Sequence, residues 1–251
     1  MSVNQRRVDL QRRDFEILKF VFAARVAAFD QIARRSFKGK HKTIAERRIA
    51  KLVRGGYLNA GVTLRGGKVR KHYSPTDKCA NAVVDQWHFH IDNPHVESES
   101  PEHDLRLAEL VLKLEGLSRF SMFFPENLLQ SSSDLAQDPI LADLVKIQSD
   151  GALILKREGD EVDVYAVEME ITRKSVERYK DKLASYYLSD SVDGVLYVCG
   201  TQEIVGRLAK ADEATRGIRK SILHLALEEN ALAEGKKVIF GNGKVQTLVL
   251  S

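Results

Sequence analysis

The segment 150–171 constrains the fold most, because it predicts a β-hairpin that brings acidic residues together. An apolar run after Asp150 leads into a turn around Gly159 and then into a second run that ends with Glu168 and Glu170. Symmetric folding about Gly159 places Asp150 opposite Glu168, and the two-residue period of a strand puts Glu170 on the same face. The second strand is apolar on both faces, so it is expected at the centre of a sheet.

Three carboxylates at the end of a buried strand favour a bound cation. They repel one another and lose hydration, which is costly unless a positive charge joins them. Mg²⁺ and Mn²⁺ prefer such all-oxygen surroundings. The sequence therefore predicts a Mg²⁺ or Mn²⁺ site formed by Asp150, Glu168 and Glu170. The alternative is a sheet edge where these acids reach solvent.

The residues around the hairpin resemble the PD-(D/E)xK pattern of restriction-endonuclease-like nucleases. Ser149-Asp150-Gly and Glu168-x-Glu170 are the matching parts, with Ser149 in place of the usual proline and Glu170 in place of the motif lysine. Some members of that superfamily have the lysine on the following helix, where Lys182 is the candidate. The flanking order also fits, with a helix over 103–115, a strand over 119–124, the hairpin, a helix over 175–188 and a strand over 194–199.

Charge divides the chain into two parts behind a net charge of +4. Residues 1–80 contain 20 Lys or Arg against 6 Asp or Glu, whereas residues 81–251 contain 19 against 29. A basic first third joined to an acidic remainder is typical of a polyanion-binding module attached to a different domain. We predict domains over 1–91 and 102–251, joined by a linker over 92–101 that contains Pro and Ser.

The basic third predicts a winged helix-turn-helix. Apolar residues at helical spacing indicate helices over 14–25, 29–36 and 43–54, the last ended by Gly55-Gly56. Strand patterns at 57–58, 62–64 and 69–73 and a turn at 65–68 then form the wing, and a further helix is expected over 76–90. The fold class is therefore α+β, with an N-terminal winged helix followed by an α/β restriction-endonuclease-like domain around a mixed central sheet.

The third helix would enter the major groove of double-stranded DNA. Thr43 and Arg47 are expected near base edges, and Arg48 and Lys51 could reach bases or phosphates. Arg54 lies on the same outward face. The expected phosphate contacts, which position a protein without specifying sequence, are Lys38, Lys40, Lys42, Arg65, Lys68, Arg70 and Lys71. The alternative is a winged helix that contacts protein and has a solvated basic face.

Two other groups of residues compete for a catalytic role. His88-Phe89-His90 and Tyr179-x-x-Lys182 match short motifs of DNA-nicking enzymes, although two surface histidines are the simpler interpretation. His103, with Asp104 and Glu109 on the same predicted helix, could line the carboxylate site, as could Glu126. The alternative is a helix-start histidine with ordinary surface acids.

The combination of a winged helix with a variant nuclease-like domain resembles the MobC class of plasmid relaxases and the related replication-relaxation family. The resemblance spans almost the whole chain, and its specific parts are His103, Ser149-Asp150-Gly, Glu168-x-Glu170 and Lys182-Leu-x-x-Tyr186. It implies metal-dependent nicking at a plasmid transfer origin, with relaxosome or coupling proteins as partners.

In that interpretation each site residue has a chemical role. Asp150 and Glu168 would bind the metal, Glu170 would complete its shell or act as a base, and Lys182 would offset charge on the phosphate. The alternative function is a non-catalytic transcriptional or replication regulator that binds an operator and uses the nuclease fold as a scaffold.

The remaining sequence features indicate a cytoplasmic protein without membrane insertion. No apolar run approaches the roughly 20 residues that span a bilayer, and the N-terminus is polar rather than a signal sequence. Cys79 and Cys199 match no metal-ligand spacing and are expected to be reduced.

Overall fold

The computed structural model describes residues 8–65, 68–94, 97–98, 100–159, 161–235, 237–241 and 246–251. Its contacts divide the chain into two compact units, one of Met1–Leu112 with Ser131–Ser133 and the other of Lys113–Gln130 with Asp134–Ser251. The first unit therefore continues past the linker predicted at 92–101. It includes most of the helix that was expected to open the second domain.

The first unit combines helices with a small sheet. Its elements are α1 (Arg12–Ala24), β1 (Ala27–Ala28), α2 (Phe29–Ser36), α3 (Lys42–Arg54), β2 (Leu58–Arg65), β3 (Lys68–Pro75), α4 (Asp77–Val83) and most of α5 (Pro101–Leu114). β3 lies between β1 and β2 and pairs antiparallel with both. Ile17 and Leu18 of α1 and Ile49 and Leu52 of α3 are fully buried, as their helical spacing predicts.

The local patterns of the basic third predict these helices closely. α2 has the predicted bounds, whereas α1 and α3 begin slightly earlier. Gly55 caps α3, and Gly56 adopts a φ of 75°, which favours glycine. The helix predicted over 76–90 is shorter, because the backbone becomes extended at Trp87, whose ring stacks on Phe89.

The second unit is built on a mixed seven-stranded sheet in the order β10-β9-β8-β7-β6-β5-β4. β6, β7 and β8 are parallel, and the outer pairs are antiparallel. The elements that follow α5 are β4 (Phe120–Pro125), α6 (Glu126–Ser131), α7 (Ser133–Gln137), α8 (Ala142–Ile147), β5 (Gly151–Lys156), β6 (Val162–Glu170), α9 (Val176–Tyr187), β7 (Gly194–Cys199), α10 (Gln202–Arg216), β8 (Leu223–Leu227), α11 (Glu228–Ala231), β9 (Val238–Gly241) and β10 (Gln246–Leu250). The α+β class and the mixed sheet are confirmed.

The β5–β6 hairpin has the predicted register. Gly151 pairs with Val167 at one end of the ladder and Lys156 pairs with Val162 at the other. β6 lies between β5 and β7, and every residue after Val162 is buried, as expected of a central strand. The sequence also predicts a turn at 241–244 between closing strands over 237–240 and 245–250, and residues 242–244 of that turn lie outside the described residues.

Two further predictions concern membrane-spanning helices and the cysteines. No helix in the described part of the chain is long and apolar enough to cross a membrane. Cys79 and Cys199 are buried free thiols. Burial raises the pKa of each to about 12, so both thiols stay protonated near neutral pH.

Candidate functional site

The hairpin brings Asp150 to the end of β6. Because Gly151 pairs with Val167, the next position along the ladder sets Asp150 opposite Glu168. The Asp150 carboxylate accepts a hydrogen bond from the backbone N–H of Met169 at 2.7 Å. Gly151 is required beside it, because a Cβ there would lie 2.3 Å from the ring of Phe123 on the neighbouring strand.

Glu168 is the most perturbed carboxylate in this region. Its side chain is buried, and its Oε1 accepts a hydrogen bond from the Tyr186 hydroxyl. Lys182 Nζ lies 3.2 Å from the same oxygen. Burial, followed by the charge of Asp150, raises the pKa of Glu168 to about 7, while Lys182 and Tyr186 oppose the shift. Glu168 therefore exchanges its proton close to neutral pH.

Helix α9 supplies both partners of Glu168. The Ser175 side chain caps this helix by accepting from the Arg178 N–H at 3.2 Å. Lys182 and Tyr186 are four residues apart and so share a face. The Lys182 ammonium also donates to the carbonyl oxygens of Ile147 at 3.1 Å and Gln148 at 2.9 Å. With Glu168, these contacts use all three of its donors.

Glu170 has a separate lysine partner that the sequence analysis missed. Lys174 Nζ lies 2.7 Å from Glu170 Oε2, and the Glu170 side chain is buried. The backbone N–H of Lys174 donates to the Tyr179 hydroxyl at 3.1 Å, which positions the loop before α9. The only signal in the sequence is that Lys174 follows Glu170 by four residues. Because this segment is a loop, that spacing does not place the two side chains on one face.

Glu168, Glu170 and their two lysine partners line an open pocket of about 320 Å³, whereas Asp150 is not among its lining residues. Acidic and basic side chains are both present in its wall. The lining residues are Glu168, Glu170, Lys174, Arg178, Tyr179, Asp181, Lys182, Ser185 and Tyr197. Arg178 has no acidic partner among the described residues, in contrast to Lys174 and Lys182.

One oxygen of Asp150 accepts the Met169 N–H, and one oxygen of Glu168 contacts Lys182 and the Tyr186 hydroxyl. Carboxylate oxygens are the type of ligand atom that Mg²⁺ and Mn²⁺ prefer. Within the described ranges, however, no group of three His, Cys, Asp or Glu side chains is arranged to hold a metal ion. Glu170, the third predicted ligand, is paired with Lys174 instead.

The other residues considered for catalysis lie elsewhere or serve other contacts. His103 belongs to the first unit, with Nδ1 3.5 Å from Asp104 Oδ1. Glu109 is also in the first unit and binds Arg34 at 2.6 Å. His88 and His90 are exposed. Glu126 adjoins the carboxylate site through its backbone, because its N–H donates to the Asp150 carbonyl oxygen at 2.8 Å.

Most of the predicted DNA-binding side chains of α3 point to solvent. Thr43, Arg47, Lys51 and Arg54 are exposed. Arg48 differs, because its guanidinium binds the buried Asp14, with Nε 2.5 Å from Oδ1. The Asp14 contact gives Arg48 a structural role that its place on the outward face did not indicate.

The predicted phosphate contacts differ in whether their side chains have acidic partners. Lys38, Lys40 and Lys71 are exposed. Lys42 lies 3.8 Å from Glu46, and Arg70 binds Asp30 at 2.9 Å. The side chains of Arg65 and Lys68 lie outside the described residues.

Comparisons with known proteins provide no relative for this chain. No protein-family model matches it, and neither the curated proteins nor the solved structures contain a significant match.

Proposed function

We propose that this chain is a DNA-binding protein whose second unit cleaves phosphodiester bonds in a metal-dependent reaction. The observation that supports this most directly is the convergence of Asp150, Glu168 and Lys182. Glu168 and Lys182 meet at the wall of an open pocket, and the register of the hairpin sets the carboxylate of Asp150 beside Glu168. Nucleases use such a combination to bind a metal ion and to neutralise charge on a phosphate.

Mg²⁺ or Mn²⁺, bound by Asp150 and Glu168, would polarise the scissile phosphate and lower the pKa of an attacking water. Lys182 would turn from Glu168 towards the phosphate and offset its growing negative charge. Glu170, once separated from Lys174, would complete the metal shell or accept the proton of the water. Lys182 and Lys174 would therefore neutralise Glu168 and Glu170 until substrate and metal bind.

The first unit is the proposed DNA-reading module. Its order α1-β1-α2-α3-β2-β3, with β3 between β1 and β2, supports a winged helix-turn-helix. The exposed side chains of Thr43, Arg47 and Lys51 support α3 as the helix that enters the major groove. The first unit would then determine DNA affinity and sequence specificity, and the second unit would cleave the phosphodiester bond.

The finer proposal is a plasmid mobilisation relaxase that nicks a transfer origin in the cytoplasm, together with relaxosome or coupling proteins. It rests on the resemblance to MobC-class relaxases and the replication-relaxation family. Lys182-Leu-x-x-Tyr186 is the part of that resemblance with the strongest support, because both residues contact Glu168.

A non-catalytic regulator is the second candidate. The ion pairs Lys182–Glu168 and Lys174–Glu170 favour it, because they already neutralise two of the three carboxylates within the protein. A regulator would keep the first unit's DNA affinity and use the second unit as a scaffold.

A nicking assay separates the two candidates. A binding site is first selected from random duplexes and cloned into a supercoiled plasmid, which is then incubated with the protein in Mg²⁺ or Mn²⁺. We expect the wild type to produce open circles and Asp150→Asn to bind the site without nicking it. Asp190→Asn is the matched control, because Asp190 is exposed and, unlike Asp150, is not one of the groups that shift the pKa of Glu168. If the wild type binds the plasmid but leaves it supercoiled in both Mg²⁺ and Mn²⁺, the protein is a regulator.

A further inference from the structure

A second pocket, of about 370 Å³, lies beside α3 within the first unit. Four of its seven lining residues are cationic and none is acidic. The seven lining residues are Gln11, Arg13, Phe37, Ile44, Arg47, Arg48 and Lys51. A concave surface lined by one sign of charge concentrates ions of the opposite sign, so this pocket attracts anions.

The pocket has rigid walls because a buried ion pair connects α1 to α3. Asp14 is fully buried and binds the Arg48 guanidinium through both carboxylate oxygens. It also accepts the Gln11 N–H at 2.6 Å, which fixes the start of α1. Removing Arg48 would leave the buried charge of Asp14 uncompensated, which is strongly unfavourable. The start of α1 and the middle of α3 are therefore held together.

Arg13 is positioned at this pocket by an aromatic ring. Its guanidinium carbon lies 5.2 Å from the centroid of the Phe37 ring, a distance at which a cation–π contact is attractive. The ring is not a hydrogen-bond acceptor of the usual oxygen type, so the N–H donors of Arg13 can still bind an anion. Among the described residues, Arg13, Arg47 and Lys51 have no acidic partner.

We propose that this pocket binds a phosphate group, with Arg13 as a ligand from α1 beside Arg47 and Lys51 of α3. Guanidinium groups bind phosphate oxygens through paired N–H donors, and the ammonium of Lys51 adds a point charge. When duplex DNA is bound, the pocket holds a backbone phosphate that flanks the groove entered by α3. DNA as the source of the phosphate rests on the proposed function. Free phosphate is the other source of the same chemistry.

The test compares two neighbouring arginines in the full chain. Arg13→Gln removes a charge from the pocket, whereas Arg12→Gln removes the same charge from an exposed residue that does not line it. Duplex binding is measured by fluorescence anisotropy over a series of salt concentrations. For Arg13→Gln we expect weaker binding and a slope of log affinity against log salt that is shallower by about 0.9, the value for one lost phosphate contact. Equal losses in both variants would overturn the proposal.

A second measurement separates the phosphate site from the proposed function. Thermal unfolding is followed with inorganic phosphate and with sodium chloride of equal ionic strength. If the wild type binds no duplex, the proposed DNA function fails. The pocket is still supported if phosphate raises the Tm of the wild type and Arg12→Gln but not that of Arg13→Gln. No duplex binding together with no phosphate-specific Tm shift overturns it.

The fold of the variant is checked by its Tm without ligand. If Arg13→Gln unfolds early, Arg13→Lys replaces it, because lysine keeps the charge near Phe37 but lacks the paired donors. Arg13→Lys should bind duplex less tightly than the wild type while keeping its salt slope. Affinity equal to that of the wild type would show that Arg13 does not hold a phosphate through its paired donors, and would overturn the proposal.

Discussion

Lys182 and Glu168 form an ion pair across two elements of the second unit, with Nζ 3.2 Å from Oε1. The lysine belongs to α9 and the glutamate to the central strand β6. Two backbone carbonyls take the remaining donors of the ammonium. The pair therefore links the position of α9 to the protonation state of the carboxylate.

The first prediction concerns the pKa of Glu168. Lys182→Met removes the nearest positive charge, so the pKa should rise further above its present value of about 7. Carboxyl carbon NMR titration measures it directly. Lys180→Met, on the same helix but outside the pocket lining, should leave the pKa unchanged. A pKa unaffected by the loss of Lys182 would show that the pair has no electrostatic effect.

The second prediction concerns stability against pH without added metal. The pKa of Glu168 is raised to about 7 from an ordinary 4.5, so the folded state holds this proton more tightly than the unfolded state. The resulting stabilisation is complete below about pH 4.5 and is lost as pH rises through 7. The loss is on the order of 3 kcal/mol.

Urea unfolding at pH 5 and pH 8 in the presence of EDTA measures this loss. Glu168→Gln cannot titrate, so its free energy of unfolding should fall less between the two pH values than that of the wild type. Parallel losses in both proteins would exclude Glu168 as the titrating group.

Local sequence patterns were sufficient for the hairpin and several flanking elements. Symmetric folding of two apolar runs about the turn at Gly159 predicts the register of β5 and β6, and α2 and β7 have the predicted bounds. These features depend on residues close in sequence, where the helix and strand periods are visible. The placement of Lys182 near the acidic strand was also expected, but only from the resemblance to restriction-endonuclease-like nucleases.

Contacts between distant residues could not be predicted in the same way. Asp14 and Arg48 are 34 residues apart, and neither the charge pattern nor the helical period indicates that they meet. Lys174 lies in a loop, where no period places its side chain beside Glu170. The short helices between β4 and β5 have too few residues for a clear apolar stripe.

The third prediction concerns the buried pair in the first unit. Arg48→Met leaves the fully buried Asp14 without its partner and should cost about 3 kcal/mol or more of unfolding free energy. The double variant Asp14→Leu, Arg48→Met should be more stable than the single one, because no buried charge remains. Urea unfolding measures both, and a single variant as stable as the wild type would contradict the assigned role.

The fourth prediction concerns the competition between Lys174 and a metal ion for Glu170. Lys174→Ala removes the ammonium 2.7 Å from the carboxylate, so Mn²⁺ should bind about tenfold more tightly, which corresponds to about 1.4 kcal/mol. Electron paramagnetic resonance of free Mn²⁺ gives the affinity. Arg173→Ala, which removes a neighbouring charge paired with Glu203, is the control. Equal Mn²⁺ affinities in the two variants would show that Glu170 does not contribute to metal binding.

The order of elements around Glu168 has a consequence for the chain as it is synthesised. Asp150 and Glu168 meet when a hairpin closes, an event of roughly 1–10 μs. Lys182 lies further along and arrives only when α9 packs and β7 joins β6 in parallel, a slower non-local step. A nascent chain stalled when residue 171 has left the ribosome but residue 182 is still in the exit tunnel would therefore present the acidic end of the hairpin without its lysine. Ribosome-bound chains of that length should be more sensitive to divalent cations than the finished protein.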